Sequence, residues 1–319
     1  MTVGHPVDRP IDRAALLPLT GDFASATRDD ASLREFLDTL DVPAPRAAGS
    51  PGISAAAPLR ERVDLALSLV DLTTLEGTDT PSRVRSLAAQ GVSPDPDDGA
   101  APHVAALCVY PDLVTAAVDA LADLGATGLL EVASVAGAFP SGRSPRPVRL
   151  AEVEHALRAG ATEIDMVIDR GAFGDGRLLE VLQAVVDVRE LCGRGADRVR
   201  LKVILETGEL AGPTAIWGAC WVALLGGADF LKTSTGKTTP AATLPATALL
   251  LAAVAAWHDR TGERRGVKAA GGIRTPAAAL EYLDLVTAVA GPQWLTPELF
   301  RFGASGLVGA LVRERHQAD

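Results

Sequence analysis

Cysteine, histidine and aromatic residues are scarce in this chain of 319 residues, whose aromatic content is 4%. The three cysteines, Cys108, Cys192 and Cys220, form an odd, widely spaced set without a CxxC pair, which argues against a disulfide framework and a structural zinc site. The five histidines lack a ligand spacing such as HxxxH, and no serine lies in a GxSxG elbow. We therefore expect neither a metal centre nor a serine hydrolase, and the cysteine usage favours a reducing cytosol.

Long apolar runs are missing as well. The longest, from Ala246 to Trp257, is interrupted by Thr247 and is too short to span a bilayer. The N-terminal residues lack the apolar core of a signal peptide, so we expect no export and no membrane insertion, but a cytoplasmic protein.

Basic residues are not in excess. Lys plus Arg number 30 against 40 Asp plus Glu, a formal net charge of −10, which argues against a general nucleic-acid or anionic-membrane surface. A local pocket can still be positive on an acidic protein, so an anionic small molecule stays a candidate ligand. Hydrophobic residues make up 48% of the chain, which indicates a soluble globular protein.

The composition changes near residue 58. Residues 1–57 are rich in Ala, Pro, Asp, Arg and Ser, which predicts an irregular, partly flexible N-terminal extension. Within it we expect a helix around Ser32 to Leu40 and a flexible lead-in at 44–58. Residues 58–319 are expected to form one catalytic domain, because short apolar runs alternate there with segments of helical periodicity.

Eight strand candidates lie in this second region. They are 65–73, 103–110, 127–135, 163–169, 198–206, 229–235, 266–271 and 300–304. Eight strand–helix units over about 250 residues are typical of a (β/α)8 TIM barrel, whereas an open doubly wound sheet more often has five to seven strands. The sequence therefore predicts the barrel.

Two lysines mark a candidate active site. Barrel enzymes place their chemistry at the C-terminal ends of the strands, and alternation puts Lys232 and Lys268 on the inward face of the sixth and seventh strand candidates. Repulsion between neighbouring amines and partial desolvation both lower the pKa of an amine, and a neutral amine is what forms a Schiff base with a carbonyl. The alternative is a structural ion network that fills the barrel.

Other polar residues share the inward face. They are Asp71 and Thr73 on the first strand candidate, Cys108 on the second, Glu163 and Asp165 on the fourth, and Lys202 and Glu206 on the fifth. For Cys108, a buried inert thiol is the main alternative to a position facing the site.

Glycine-rich turns follow the last three strand candidates. They are Gly236 with Lys237, Gly271 with Gly272, and the RFGASG segment that contains Gly303 and Ser305. In barrels, the turns after strands seven and eight often bind phosphate, because bare N–H groups can approach its oxygens. Each pair alone is also typical of a tight turn between a strand and a helix. Together they predict a phosphate site.

Seven segments resemble the deoxyribose-phosphate aldolases, class I aldolases on a (β/α)8 barrel. They are VDLTTLEGTDT (70–80), LCVYP (107–111), EIDMVID (163–169), LKVILETGEL (201–210), ADFLKTSTGK (228–237), VKAAGGIRT (267–275) and RFGASG (301–306). The similarity runs from about Leu65 to Leu311 in the family's order and leaves the first 57 residues outside it.

The resemblance implies reversible cleavage of 2-deoxy-D-ribose 5-phosphate to D-glyceraldehyde 3-phosphate and acetaldehyde, without metal or organic cofactor, in deoxyribonucleoside catabolism. Lys232 would be the Schiff-base nucleophile, Lys268 the neighbouring cation that lowers its pKa, and Asp165 a partner in proton transfer through a water. The residues implied to bind phosphate or line the substrate site are Gly236, Lys237, Gly271, Gly272, Gly303, Ser305, Asp71, Thr73 and Cys108.

Two residues depart from the family pattern. Ala269 stands where the family commonly has Pro, and Gly306 stands where a second Ser is common, which removes one hydroxyl from the phosphate site. Two other functions stay open: another class I sugar-phosphate aldolase or a transaldolase, and a non-catalytic barrel that binds sugar phosphates. The resemblance also implies a homodimer, whose interface could contain Trp217, Trp221 and Trp294, although packing within the helical layer is an equal alternative.

Overall fold

Eight parallel strands close into a barrel within residues 25–44, 57–193, 195 and 198–318, the part of the chain that the computed structural model describes. Each strand pairs with the next along the chain, and the first pairs with the last. The strands are β1 (Val70–Thr73), β2 (Ala106–Val109), β3 (Glu131–Ala136), β4 (Glu163–Val167), β5 (Arg200–Ile204), β6 (Phe230–Lys232), β7 (Gly266–Ala270) and β8 (Phe300–Ala304). The predicted (β/α)8 barrel is confirmed.

Helices surround the barrel. Several begin where a threonine side chain accepts a hydrogen bond from a backbone N–H three residues later and a proline lies in the first turn, as at Thr80, Thr243 and Thr275. The helices of the described residues are α1 (Asp30–Asp38), α2 (Leu59–Ser68), α3 (Pro81–Val92), α4 (Val114–Asp123), α5 (Arg146–Arg158), α6 (Arg170–Gly174), α7 (Leu178–Leu191), α8 (Pro213–Leu225), α9 (Leu244–Thr261), α10 (Pro276–Val289) and α11 (Leu307–Gln317). None of these helices is long and apolar enough to cross a membrane.

The main hydrophobic core lies between the strands and the helices. On β4, Ile164 and Met166 belong to this core and are buried, whereas Asp165 between them makes its contacts inside the barrel. On β5, Leu201 is buried in the same core and Lys202 is directed inward. Alternation along these strands therefore sends apolar side chains out to the helices and leaves charged ones in the barrel interior.

The tryptophans pack inside the helical layer. Trp221 and Trp257 are fully buried, with ring centroids 5.9 Å apart, and Trp217 lies 6.1 Å from Trp221. Trp294 is also buried, and its ring nitrogen donates a hydrogen bond to the carbonyl of Arg265 at 2.9 Å. The placement of these side chains in the helical layer is thus the alternative that the structure supports.

One strand prediction was partly wrong. The first candidate covered 65–73, but α2 extends to Ser68 and only Val70–Thr73 is a strand. In α2 the buried Val63, Ala66 and Leu67 follow the spacing of one helical face. A short apolar run does not distinguish a buried strand from a buried helix, which is why the pattern misled.

Part of the N-terminal extension is a helix packed on the barrel. Leu33 of α1 is fully buried, and the ring of Phe36 meets that of Trp221 edge-on at 6.1 Å. Asp30 accepts a hydrogen bond of 2.7 Å from the N–H of Leu179 in the first turn of α7. The helix expected around Ser32 to Leu40 is confirmed.

Other parts of the extension lie outside the described residues. They are residues 1–24 and 45–56, the second of which makes up most of the lead-in predicted at 44–58. The division into an extension at 1–57 and a catalytic domain at 58–319 stays a prediction.

Candidate active site

Lys232, Lys268 and Asp165 meet inside the barrel. The two lysines are register partners on β6 and β7, and their Nζ atoms lie 2.7 Å and 2.8 Å from the same oxygen, Oδ2 of Asp165 on β4. All three residues are buried, with Lys232 at 2% exposure and the other two at 0%. Barrel closure thus brings together the three residues that sequence similarity implied to be catalytic.

The two lysines differ in protonation. Burial lowers the pKa of the Lys232 amine below that of an ordinary lysine, and repulsion from Lys268 adds to this against the attraction of Asp165. Burial also disfavours the charged form of Lys268, but Asp165 and Asp71 outweigh it and raise the pKa of Lys268 well above its usual value. The pKa values of the two neighbouring amines are thus shifted in opposite directions, which favours the charged form of Lys268 and the neutral form of Lys232.

Asp165 stays ionised despite its complete burial. Burial alone would raise the pKa of this carboxyl, but Lys202, Lys232 and Lys268 together lower it well below the usual range. The arrangement combines a carboxyl group that favours its ionised form, a lysine that favours its charged form and an amine whose pKa is lowered. Such a site can form an imine with a carbonyl and stabilise the charge that develops next to it.

A buried ion network lies beneath these residues. Lys202 contacts Glu163 and lies 3.0 Å from Oδ1 of Asp165 and 3.4 Å from Oδ2 of Asp71. Asp71 in turn forms an ion pair with Lys268, whose Nζ lies 2.6 Å from its Oδ2. The structural ion network considered as an alternative therefore exists alongside the candidate catalytic residues.

The network includes Asp71, which the resemblance implied to line the substrate site. This carboxylate is 0% exposed, like Asp165, and its oxygens form ion pairs with Lys202, Lys268 and Arg301. These cations lower its pKa although burial acts in the opposite direction. Thr73 lies two residues further along β1, and its hydroxyl donates to the carbonyl of Asp71 at 2.8 Å.

A small apolar cluster borders the site and is separate from the main core. Its members are Leu75, Cys108, Ala133 and Val135, with the partly buried Tyr110 and Phe139 packed against them. The Sγ atom of Cys108 lies 3.9 Å from Oδ2 of Asp165, and burial raises the pKa of this thiol, so it stays protonated. The cluster therefore forms an apolar side of the site.

Leu75, Tyr110 and Phe139 were not identified from the sequence. Leu75 and Tyr110 lie within two of the segments that carry the family resemblance, and Phe139 lies in the turn after β3, at a strand end where barrel sites are built. Their positions were therefore a usable signal.

The glycine turns after β6 and β7 touch each other. Gly236 and Gly271 both have positive φ, at 79° and 84°. A Cβ atom on Gly271 would lie 3.1 Å from the Cα of Gly236 and 2.7 Å from the side chain of Ala241. Gly272, at φ 86°, has open space around it. These turns expose backbone at the mouth of the barrel, as a phosphate site requires.

The turn after β8 contains one residue that makes room for Lys268 and others that are exposed at the mouth of the barrel. A Cβ atom on Gly303 would lie 3.0 Å from Cε of Lys268, so this glycine makes room for the lysine side chain. Ser305 is exposed and precedes α11, whose N-cap Gly306 makes no side-chain capping hydrogen bond. The first N–H groups of α11 are thus available to an anion.

Lys237 is paired with a carboxylate that sequence reasoning missed. Its Nζ lies 3.0 Å from Oε1 of Glu76, in the loop after β1, and the two side chains are 30% and 71% exposed. An exposed ion pair of this kind is weak. Because Glu76 lies beside Lys237, it adds a negative charge next to the predicted phosphate site.

Comparison with known proteins points to one family. Residues 65–304 match the model of the "DeoC/LacD family aldolase". The deoxyribose-phosphate aldolase of Mus musculus is 42% identical over 258 residues, which cover 78% of this chain and 79% of that protein.

Solved structures agree with the fold. A crystal structure from Toxoplasma gondii superposes with a TM-score of 0.72 at 25% identity and covers 82% of this chain and 96% of that one. A deoxyribose phosphate aldolase from Aeropyrum pernix, described as tetrameric, gives a TM-score of 0.59 at 25% identity over 80% of this chain and 93% of that one.

Proposed function

The chain belongs to the DeoC/LacD family of aldolases, and on this premise we propose that it cleaves 2-deoxy-D-ribose 5-phosphate reversibly to D-glyceraldehyde 3-phosphate and acetaldehyde. Family membership makes it a carbon–carbon lyase. The observation that carries the proposal is the placement of Lys232 beside Lys268 on the shared oxygen of Asp165, at 2.7 Å and 2.8 Å.

Lys232 acts as the nucleophile. Its neutral amine attacks C1 of the open-chain aldehyde, a C–N bond forms, and the carbonyl oxygen leaves as water with the two amine protons. The imine then takes up one proton from solvent to become a protonated imine. Burial and the Lys268 ammonium favour the neutral amine before attack. The Lys268 side chain lies against Gly303, where a larger residue would displace it.

Bond cleavage then needs two proton transfers. The C3 hydroxyl loses its proton, the C2–C3 bond breaks, and its electron pair moves into the imine to leave an enamine and D-glyceraldehyde 3-phosphate. A proton then reaches C2 of the enamine, and water hydrolyses the resulting imine to acetaldehyde and the free Lys232 amine. Asp165 and Lys268 serve these transfers through a water held at the carboxylate.

The mouth of the barrel binds the phosphate. The turns at Gly236 and Gly271 approach each other there, and the adjacent Gly272 and the uncapped N–H groups at the start of α11 offer further backbone donors. Lys237 supplies the positive side chain and exchanges Glu76 for the phosphate. Ser305 adds a hydroxyl. Binding at this remote end orients the reacting carbon atoms.

The apolar cluster holds the two-carbon fragment. Cys108, Ala133 and Val135 lie on β2 and β3 beside Asp165 and present no charge to the methyl group of acetaldehyde. We also place this reaction in a cytoplasmic route of deoxyribonucleoside breakdown and propose a homodimer, which light scattering of the purified protein tests.

Reductive trapping tests the proposed function. Wild-type protein is incubated with acetaldehyde and cyanoborohydride at neutral pH, and the modified peptide is identified by mass spectrometry. An adduct on Lys232, with cleavage of 2-deoxy-D-ribose 5-phosphate in the untrapped enzyme, is expected. Lys232→Leu, which preserves a side chain of similar bulk, should lose both. A folded wild-type protein without an adduct on Lys232 would contradict the proposal.

A further inference from the structure

The barrel interior holds seven buried charged side chains. The cations are Lys202, Lys232, Lys268 and Arg301, and the anions are Asp71, Glu163 and Asp165. Their side-chain exposures lie between 0% and 3%. Four positive groups thus face three negative ones, and an uncompensated charge in a buried site is strongly unfavourable.

The lower part of this network, where the strands begin, is fully paired. Arg301 lies 2.5 Å from Oδ1 of Asp71 and 3.1 Å from Oε1 of Glu163. Lys202 contacts both of these carboxylates and also Asp165. Each of these two cations therefore has at least two counterions.

The upper part of the network, where the strands end, is not fully paired. Lys268 has two carboxylates, Asp71 and Asp165. Lys232 has one ion-pair partner among the described residues, Asp165, and it shares that oxygen with Lys268. Lys232 is thus the cation with the least compensation.

Other ionisable groups near the interior do not supply the missing counterion. They are Cys108, Glu206, the pair Arg200 and Glu131 at the lower end, and the pair Lys237 and Glu76 at the mouth. Cys108 is a protonated thiol. Glu206 accepts hydrogen bonds from the N–H and the hydroxyl of Thr235 and, among the described residues, forms no ion pair with a lysine.

We propose that Arg301 is a positioning residue for this reaction. Its guanidinium pairs with two of the three buried carboxylates, Asp71 and Glu163, and so leaves the Lys232 amine without a counterion that it does not share. Arginine cannot shed its proton, whereas a lysine can, so the excess charge is relieved at Lys232. Without Arg301, Asp71 and Glu163 would balance the other two lysines, and Asp165 could hold a protonated Lys232. Arg301 acts on Lys232 through these carboxylates, with which it forms its ion pairs.

The test measures the midpoint pH of labelling at Lys232 by acetaldehyde and cyanoborohydride. It rests on the proposed function, because labelling reports imine formation. In Arg301→Gln the loss of a positive charge is expected to raise the midpoint by about 1 pH unit, so that labelling below the midpoint slows about tenfold. Glu163→Gln removes a negative charge and is expected to lower the midpoint.

Arg301→Lys is the matched control. It keeps the charge and is expected to bring the midpoint back toward that of the wild type, although its hydrogen-bond geometry differs. A purely structural role predicts loss of stability in all three variants with one common midpoint. That result, in folded protein, would overturn the proposal.

Arg200→Gln covers the case in which Arg301→Gln does not fold. Arg200 is 26% exposed and lies 2.5 Å from Oε1 of Glu163, so its removal frees the same carboxylate from a more tolerant position. We expect a smaller upward shift of the midpoint, and no shift in either Arg200→Gln or Glu163→Gln would overturn the proposal. A missing adduct on Lys232 in the wild type would instead contradict the proposed function itself.

Discussion

Each end of the barrel interior contains a buried lysine, but the pKa values of the two lysines are shifted in opposite directions. Lys202 at the lower end and Lys232 at the upper end are both buried, at 0% and 2% exposure. Burial disfavours the charged form of each, yet Asp165, Asp71 and Glu163 raise the pKa of Lys202, whereas the pKa of Lys232 is lowered. Burial alone therefore does not make a lysine reactive. The number of counterions determines whether the pKa of a buried lysine is raised or lowered.

The two ends also differ in the residues that line them. At the lower end the ring of Phe230 has the guanidinium groups of Arg200 and Arg301 at 5.9 Å and 6.0 Å from its centroid. Gly266 leaves room for this ring, since a Cβ atom there would lie 2.5 Å from it. The upper end has glycine turns and an apolar wall instead.

The largest expected effect separates the two lysines by activity. Lys232→Met is expected to lower kcat/KM for 2-deoxy-D-ribose 5-phosphate on the order of 10⁴-fold, because the nucleophile is lost. Its free energy of unfolding should change by less than about 1 kcal/mol, because Asp165 keeps Lys202 and Lys268. Steady-state kinetics and urea unfolding check the two parts. If Lys232→Met were strongly destabilised, the expected separation between loss of activity and loss of stability would be contradicted.

The reverse pattern is expected at the lower end. Lys202→Met leaves Glu163 and Asp71 with fewer counterions and should lower the free energy of unfolding by about 3–5 kcal/mol. Lys232→Met is the matched control, since it removes a lysine of similar burial. Equal stability of the two variants in urea unfolding would show that the lower network is dispensable.

A steric change at the upper end should have a smaller effect. Gly303→Ala places a methyl group 3.0 Å from Cε of Lys268 and 2.8 Å from the side chain of Ala270, which should cost about 1–3 kcal/mol of unfolding free energy. It should also lower kcat by displacing Lys268. Gly99→Ala is the control, because nothing lies within 4 Å of its Cβ position. Equal unfolding curves for both variants would argue against close packing at Gly303.

The smallest expected effect is at the mouth. Glu76→Gln frees Lys237 from its exposed partner and removes a negative charge from the phosphate site. The KM for 2-deoxy-D-ribose 5-phosphate should fall about twofold, with no change for unphosphorylated 2-deoxyribose. A parallel change for both substrates would show that Glu76 does not act on the phosphate.

Alternation along single strands was enough to predict that Lys232, Lys268 and Asp165 face inward, and the barrel follows from the repeated strand and helix pattern. The pairing of these residues was not predictable in the same way. Arg301 was noticed only as part of a glycine-containing turn, because its partners Asp71 and Glu163 lie far away in the chain and meet it only when β1 closes against β8. In the apolar cluster, Cys108 was identified from the sequence, whereas its packing against Leu75, Ala133 and Val135 became visible only in the structure.

The most direct test compares the chain's four lysines, Lys202, Lys232, Lys237 and Lys268, in one wild-type sample. The sample is labelled with acetaldehyde and cyanoborohydride across a pH series, and the adduct on each lysine is quantified by peptide mass spectrometry. We expect labelling of Lys232 with a midpoint well below the ordinary lysine pKa of about 10.4, and no labelling of Lys202 or Lys268 in the same range. Labelling of Lys202 or Lys268 before Lys232, or a midpoint for Lys232 at the ordinary value, would contradict the account.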